Sequence, residues 1–148
     1  DIFMIKIICF GKIKESYLSE LCNDYLNRIK KYHKIEVIEL KDNIDQNKET
    51  GNLLDIIKLS DYNIILDMHG KEYTSEELAS HINNLFNSKS CITFIIGSSN
   101  GIDLKIKKMC NEQISFSTFT MPHGLFRGVL LEQIYRSFKI LNHESYHK

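Results

Sequence analysis

The chain has 148 residues, enough for one sizeable hydrophobic core, and its 43% hydrophobic and 26% charged residues match a globular domain. This composition excludes disordered and collagen-like classes, and no apolar run reaches the roughly 20 residues of a membrane span. Basic and acidic residues number 19 each, so the net charge is zero, which argues against a nucleic-acid binder unless the positive charge gathers on one face.

The pattern of apolar residues predicts strands that alternate with helices along a single domain, residues 1–148. In chain order we predict a strand at 3–10, a helix at 15–31, a strand at 35–40, a helical turn or two at 53–59, a strand at 63–68, a helix at 75–87 capped by Ser75, a strand at 91–96, a short helix at 103–110, a strand at 114–119 and a last helix at 124–141 opened by Pro122. Residues 43–50 are polar, and either a loop or a helix start fits them.

Alternating strands and helices predict an α/β fold with a mostly parallel sheet that is covered by helices on both faces. In such sheets ligands bind beyond the carboxyl ends of the strands. The candidate chemistry therefore falls on residues 66–70, 97–101 and 117–123.

Cysteine usage predicts a reducing compartment, and we expect the protein to be cytoplasmic. The four cysteines are scattered without a C-x-x-C pair, so neither a metal site nor a disulfide framework is expected. No secretory signal is visible, and nothing in the chain decides whether a targeting segment precedes it.

The run at residues 97–101 (GSSNG) follows a predicted buried strand. Its glycines allow the backbone to approach a ligand closely, and exposed N–H groups of such a loop can bind polar ligand atoms. The run lacks the spacing of a dinucleotide fingerprint and the lysine of a phosphate-binding loop. An ordinary strand-to-helix turn therefore remains an equal alternative.

The run at residues 116–123 (FSTFTMPH) mixes hydroxyls and backbone groups with apolar side chains, which suits an adenine ring. His123 lies at a helix start, where the helix dipole would lower its proton affinity and keep it neutral to accept a substrate proton. A surface or capping role is the alternative for this lone histidine. For Asp67 we favour hydrogen bonds to loop N–H groups over acid–base chemistry.

The last helix and the tail offer groups that suit RNA. Arg127 and Arg136 could meet phosphates, while Tyr146 and His147 could stack on an exposed base. A disordered end is the usual alternative for terminal residues. The helix is apolar on more than one side, which also suggests a second subunit.

Several motifs in a fixed order resemble those of the RlmH family, the ribosomal RNA large subunit methyltransferases H of the SPOUT class. They are Gly11-Lys12, Leu66-Asp67, Gly70-Lys71, FIIGSSNG at 94–101, SFS at 115–117, TMPH at 120–123, Arg127, LEQIYR at 131–136 and YHK at 146–148. The resemblance covers the chain from Met4 onward.

The resemblance implies a parallel α/β sheet with a C-terminal trefoil knot, a homodimer, and S-adenosylmethionine as the methyl donor. It implies methylation at N3 of a pseudouridine in the helix 69 loop of 23S rRNA in assembled ribosomes. No metal and no membrane are expected as partners, since the chain lacks metal-ligand spacing and a long apolar run. Carried over by position, the donor contacts are Leu66, Gly97, Ser98, Phe116, Ser117, Thr118, Phe119, Thr120 and Met121. The family usually has two glycines where this chain has Gly97-Ser98, and a serine fits there if its φ is negative.

From the chemistry we hypothesise that His123 or His147 handles the proton of N3, that Tyr146 positions the base, and that Arg127 and Arg136 hold RNA phosphate or the oxyanion. Two other classes stay open. One is a flavodoxin-like nucleotide or flavin binder, suggested by the strand–helix alternation alone. The other is a ribosome-binding factor that kept the fold and lost activity.

Overall fold

The computed structural model describes residues 3–88 and 90–148. Its elements are β1 (Ile5–Phe10), α1 (Ser16–Lys30), β2 (Ile35–Leu40), α2 (Gln46–Ile56), β3 (Tyr62–Glu72), α3 (Ser75–Asn87), β4 (Ile92–Ile96), α4 (Leu104–Met109), β5 (Glu112–Ser115) and α5 (His123–Leu141). The strand–helix alternation predicted from the sequence is confirmed.

The five strands form one sheet in the order β2-β1-β4-β3-β5, and every neighbouring pair is parallel. The interior strands β1 and β4 pair from Ile5 opposite Ile92 to Ile8 opposite Ile95. Because all strands run the same way, their carboxyl ends meet at one edge of the sheet, where ligands bind in open α/β folds.

Each face of the sheet carries its own hydrophobic layer. In β1, Ile5, Ile7 and Cys9 face a cluster with α1, α3 and α5, whereas Ile8 and Phe10 face a smaller cluster with α2 and α4. This alternation follows from the two-residue period of a strand. The predicted parallel α/β fold with helices on both faces is thus confirmed.

Helices α1 and α5 lie side by side, and glycines permit their close approach. A Cβ built on Gly128 of α5 would lie 2.8 Å from Cδ2 of Leu21, and one built on Gly124 would lie 3.1 Å from Cδ1 of Leu18. Any larger residue at Gly128 would displace Leu21. The start of α5 is therefore held close to α1, next to the carboxyl edge of the sheet.

Several predicted boundaries were wrong. Helix α2 begins at Gln46, seven residues before the helical turns predicted at 53–59 and inside the polar run 43–50, where a helix start was one of the two alternatives. Strand β5 ends at Ser115 instead of residue 119. The cap of α3 is Thr74 and not Ser75: the Thr74 hydroxyl accepts from the Glu77 N–H, and the Glu77 carboxylate accepts from the Thr74 N–H. This reciprocal pair is a capping box.

Strand β3 continues past its predicted end through an irregularity. Ile114 of β5 pairs both with Leu66 and with Lys71, so residues 67–70 bulge out of the ladder. A Cβ on Gly70 would lie 2.6 Å from the backbone carbon of Gln113, which only glycine avoids. The bulge brings Asp67 and Met68 to the carboxyl edge of the sheet.

Over residues 3–88 and 90–148, no helix is long and apolar enough to cross a membrane. Within the same ranges no group of three or more His, Cys, Asp or Glu residues could hold a metal ion.

Burial raises the pKa of the Cys9 thiol to about 11, which leaves it protonated and unreactive at neutral pH.

Candidate functional site

A cavity of about 600 Å³ opens at the carboxyl ends of β1, β3, β4 and β5. Its size lies within the range of small-molecule sites. It is lined by residues 10–12, Asp42, residues 65–68, residues 96–99, 101–102, Lys107, residues 114–117, residues 119–121, His123 and Phe126. The three loops that the carboxyl-end rule selected from the sequence all contribute to this lining.

The structure brings most of the predicted donor-binding residues to this cavity. The lining includes Leu66, Gly97, Ser98, Phe116, Ser117, Phe119, Thr120 and Met121. Thr118 is exposed and does not line it. Residues that are far apart along the chain therefore surround one space.

The floor of the cavity depends on a close backbone approach at Gly97. A Cβ on this residue would lie 2.7 Å from Cγ1 of Ile102, so a larger side chain would push Ile102 aside. The next residue, Ser98, is not among the positive-φ residues of the described chain, where His143 alone of the non-glycines has a positive φ. A serine is thus compatible with the backbone at this position.

Residues 98–101 form a tight turn in which the Gly101 N–H donates to the Ser98 carbonyl at 2.9 Å. Gly101 closes the turn with a φ of +76°, a conformation that favours glycine. The Ser98 hydroxyl is not available to a ligand, because it donates a hydrogen bond to the buried Glu49 carboxylate at 2.5 Å. What Ser98 offers a ligand is therefore its backbone.

The wall after β5 is built by local hydroxyl bonds. The Ser115 hydroxyl donates to the Ser117 carbonyl at 3.1 Å, and the Ser117 hydroxyl accepts from the Phe119 N–H at 3.0 Å. These bonds turn the chain away from the sheet at Ser117. Phe116 then packs against Phe126, with ring centroids 5.6 Å apart, and forms an apolar wall.

Charged groups of both signs line the cavity. Asp67 forms an ion pair with Lys107 at 3.0 Å and accepts from the His69 N–H at 3.2 Å. Burial alone would raise the pKa of Asp67, but these two partners together lower it. The predicted bond from Asp67 to a loop N–H is confirmed. Lys12 and Asp42 add a second ammonium and a second carboxylate.

His123 is the first residue of α5 and lines the cavity. Its Nε2 is buried and has no hydrogen-bond partner among the described residues. Burial, followed by the charge of Arg127, lowers the pKa of His123. The predicted direction is confirmed, although the causes are burial and a neighbouring cation. A neutral imidazole has one donor and one acceptor nitrogen, so Nε2 can accept a proton in the tautomer that carries its hydrogen on Nδ1.

Arg127 lies behind the cavity wall and does not line it. It is 3% exposed, its Nη1 donates to Glu39 at 2.6 Å, and its Nη2 donates to the Gly11 carbonyl at 3.1 Å. It borders a second space of about 370 Å³, which shares Lys12 with the first. The predicted contact of Arg127 with RNA phosphate would require this ion pair to open.

Tyr146 and His147 pack against α5 and α3 and lie away from the cavity. The Tyr146 hydroxyl donates to Glu132 at 2.7 Å, and Arg136 stacks over the Tyr146 ring at 4.8 Å. His147 contacts Arg136 at 3.1 Å and Glu76 at 2.7 Å. With a rise of 1.5 Å per residue, Glu132 lies about 14 Å along α5 from His123. The structure therefore does not bring the tail to the cavity of its own chain.

Sequence reasoning missed Asp42, Lys107 and Glu49. Asp42 follows β2 within two residues, so the carboxyl-end rule could have selected it. The pattern of α2 gave no sign that Glu49 is buried. Helices are predicted from a stripe of apolar residues, and a charged residue inside that stripe interrupts the pattern.

Comparison with known proteins gives consistent matches over nearly the whole chain. A family model described as "Predicted SPOUT methyltransferase" matches residues 3–147. A putative ribosomal RNA large subunit methyltransferase H of Methanococcus maripaludis is 45% identical over 97% of this chain and 99% of its own. The ribosomal RNA large subunit methyltransferase H of Mesoplasma florum is 44% identical, with the same coverage.

A solved structure, a probable methylase family protein from Haemophilus influenzae, matches with a TM-score of 0.58 at 10% identity. The match covers 94% of this chain and 66% of that one. At this identity the likeness concerns the fold alone.

Proposed function

The chain belongs to the SPOUT methyltransferase family, and from this we propose that it methylates large-subunit ribosomal RNA with S-adenosylmethionine as the donor. The observation that carries the proposal is the cavity at the carboxyl edge, whose lining includes eight of the nine residues that the resemblance assigns to the donor. We further propose that the acceptor is N3 of a pseudouridine in the helix 69 loop of 23S rRNA.

The cavity fits the donor in size and in chemistry. Phe116, Phe126 and Met121 offer apolar surface for an adenine ring, and Asp42 and Asp67 offer carboxylates for positively charged or hydroxyl groups. The close backbone approach at Gly97 leaves main-chain groups available to polar ligand atoms. When bound, the donor supplies an electrophilic methyl group on its sulfonium.

His123 is our candidate for the general base. N3 of a pseudouridine carries a proton and is a poor nucleophile until that proton leaves. The lowered pKa keeps His123 neutral at pH 7. Its buried Nε2 has no hydrogen-bond partner among the described residues, so it can accept the proton once the ring turns toward the cavity. Arg127 supports the neutral state through its charge.

We propose that the protein acts as a homodimer in which the tail of one chain completes the cavity of the other. The support is the distance of Tyr146 and His147 from the cavity of their own chain and the bonds that hold them in fixed positions. Exposed apolar side chains beside the cavity end of the helices, Tyr17 and Leu125, are available to a second copy. Arg136, which holds His147, would bring positive charge to the RNA.

The donor loops of this class are expected to form a trefoil knot. The support in this chain is that the loops after β3, β4 and β5 all surround one cavity. The knot remains a prediction from the family.

The test is methyl transfer from labelled S-adenosylmethionine to assembled ribosomes, followed by mapping of the modified nucleotide. We expect one methyl group on a pseudouridine of the large-subunit RNA. Donor binding without transfer would support the alternative of an inactive ribosome-binding factor, and binding of flavin mononucleotide instead of the donor would support the flavin alternative.

Two variants test the roles of residues. His123→Asn should lower kcat by about 10²- to 10⁴-fold with little change in donor affinity, because general bases contribute that much. Unchanged turnover would end the catalytic role of His123. For the dimer, a His123→Asn chain mixed with a chain lacking residues 143–148 should regain activity, since one complete site forms; no regain would refute the shared site.

A further inference from the structure

A carboxylate without a cationic partner is buried behind the turn at residues 98–101. Glu49 of α2 is 2% exposed, and no ion pair of the described chain includes it. Its oxygens accept three hydrogen bonds: from the Ser98 hydroxyl at 2.5 Å, from the Asn43 N–H at 2.8 Å and from the Asn100 amide at 3.2 Å. A buried carboxylate is retained at this cost only when its oxygens are well satisfied.

Residues 43–49 hold the turn at residues 98–101 through further hydrogen bonds. The Asn100 amide also donates to the Asn43 carbonyl at 2.7 Å, and the Gln46 amide donates to the Asn100 carbonyl at 2.8 Å. Within the turn, the Ser98 hydroxyl accepts from the Asn100 N–H at 3.1 Å. Glu49 is the common partner, because it is bonded both to the turn and to the chain that precedes α2.

One side of this turn faces Glu49 and the other faces the cavity. Gly97, Ser98, Ser99 and Gly101 line the cavity, whereas the side chains of Ser98 and Asn100 are directed toward Glu49. The groups of the turn that face a ligand are thus mainly backbone groups. Their positions depend on what holds the turn from behind.

We propose that Glu49 is a positioning residue that fixes the turn at residues 97–101 in the conformation that binds the methyl donor. This inference rests on the proposed function and adds a residue outside the cavity to it. A turn fixed before binding does not lose conformational freedom when the ligand arrives, so the affinity is higher than for a mobile turn. The hydroxyl of Ser98 gives Glu49 a side-chain donor within the turn.

The test compares Glu49→Gln with Asp61→Asn as a matched control. Asp61 is also buried, at 8% exposure, but it lies at the opposite edge of the sheet, where Lys6 pairs with it at 2.8 Å and the Thr93 hydroxyl donates to it at 3.3 Å. Both substitutions are nearly isosteric and remove a buried charge. Only the first acts on the turn.

Calorimetric titration with S-adenosylmethionine should show at least tenfold weaker binding to Glu49→Gln and less than twofold change for Asp61→Asn. This difference in affinity should hold whichever of the two variants has the lower melting temperature. Ser98→Ala should weaken binding less than Glu49→Gln, because it removes one of the three hydrogen bonds to Glu49. The double variant should resemble Glu49→Gln, because the Ser98 side chain acts on the turn through Glu49. Equal donor affinity in Glu49→Gln and wild type, or an equal loss in Asp61→Asn, would overturn the proposal.

Hydrogen exchange on the ligand-free protein separates this inference from the proposed function. Amides of residues 97–101 should exchange at least tenfold faster in Glu49→Gln and at an unchanged rate in Asp61→Asn. Unchanged exchange in Glu49→Gln overturns the positioning role even if the wild type binds the donor. A wild type that binds no donor refutes the proposed function, and faster exchange in Glu49→Gln would then still support the hold of Glu49 on the turn.

Discussion

The buried ion pair between Arg127 and Glu39 allows a quantitative prediction, because a structural role and a role in RNA binding give different results. We consider Arg127→Met, which keeps the apolar stem and removes the guanidinium. The change deletes the 2.6 Å bond to Glu39 and the 3.1 Å bond to the Gly11 carbonyl. Removing one partner of a buried pair costs about 3–5 kcal/mol. The Glu39 side chain is 34% exposed and keeps some water, so we expect the low end, about 3 kcal/mol.

The assay is urea unfolding followed by circular dichroism. With a slope of about 2 kcal/mol/M, a loss of about 3 kcal/mol lowers the midpoint by about 1.5 M. Lys12→Met is the control, because Lys12 borders the same second space but is exposed, and its effect should stay within about 0.5 kcal/mol. A loss below about 1 kcal/mol in Arg127→Met would refute the structural role. Lost methyl transfer with full stability would instead favour direct contact with RNA.

Two further predictions concern the bulge of β3 and the pH dependence of stability. Gly70→Ala should destabilise the fold by about 1–3 kcal/mol in thermal unfolding, because its Cβ would lie 2.6 Å from backbone of β5; an unchanged melting temperature would contradict the close packing. Because folding lowers the pKa of His123, the unfolded protein binds a proton at this residue at a higher pH than the folded protein, beginning near pH 6.5. The wild type should therefore lose more stability than His123→Asn between pH 7 and pH 5, and equal losses would show that His123 is not buried as a neutral ring.

The sequence predicts the cavity better than it predicts element boundaries. The regular part of β3 up to Leu66 and the strand ends at Ile96 and Ser115 meet at one edge, because the strands of a parallel sheet all run the same way. Approximate strand positions were therefore enough to select the loops. Strand β5 ends early because the hydroxyl bonds of Ser115 and Ser117 turn the chain. An alternating apolar pattern at 114–119 cannot reveal such bonds.

The role of Glu49 and the burial of Arg127 could not be predicted, for a common physical reason. A charged residue in a helix is usually solvated, and burial requires partners that come from elsewhere in the chain. Glu49 finds its partners at residues 98 and 100, and Arg127 finds its partner at residue 39. The tail was also ambiguous, because its order depends on contacts with Glu132, Arg136 and Glu76 that lie on two helices.

The strand order β2-β1-β4-β3-β5 has a consequence for how the protein is made. The sheet has no hairpin among its described strands, and its interior β1–β4 pair joins Ile5 to Ile92, so most of the chain must be synthesised before the middle of the sheet can close. Such distant pairings fold slowly and leave apolar strand edges exposed in the meantime. The cavity needs loops as late as His123 and hence forms last. We therefore expect nascent chains to remain inactive and prone to aggregation until nearly the whole chain has left the ribosome that makes it.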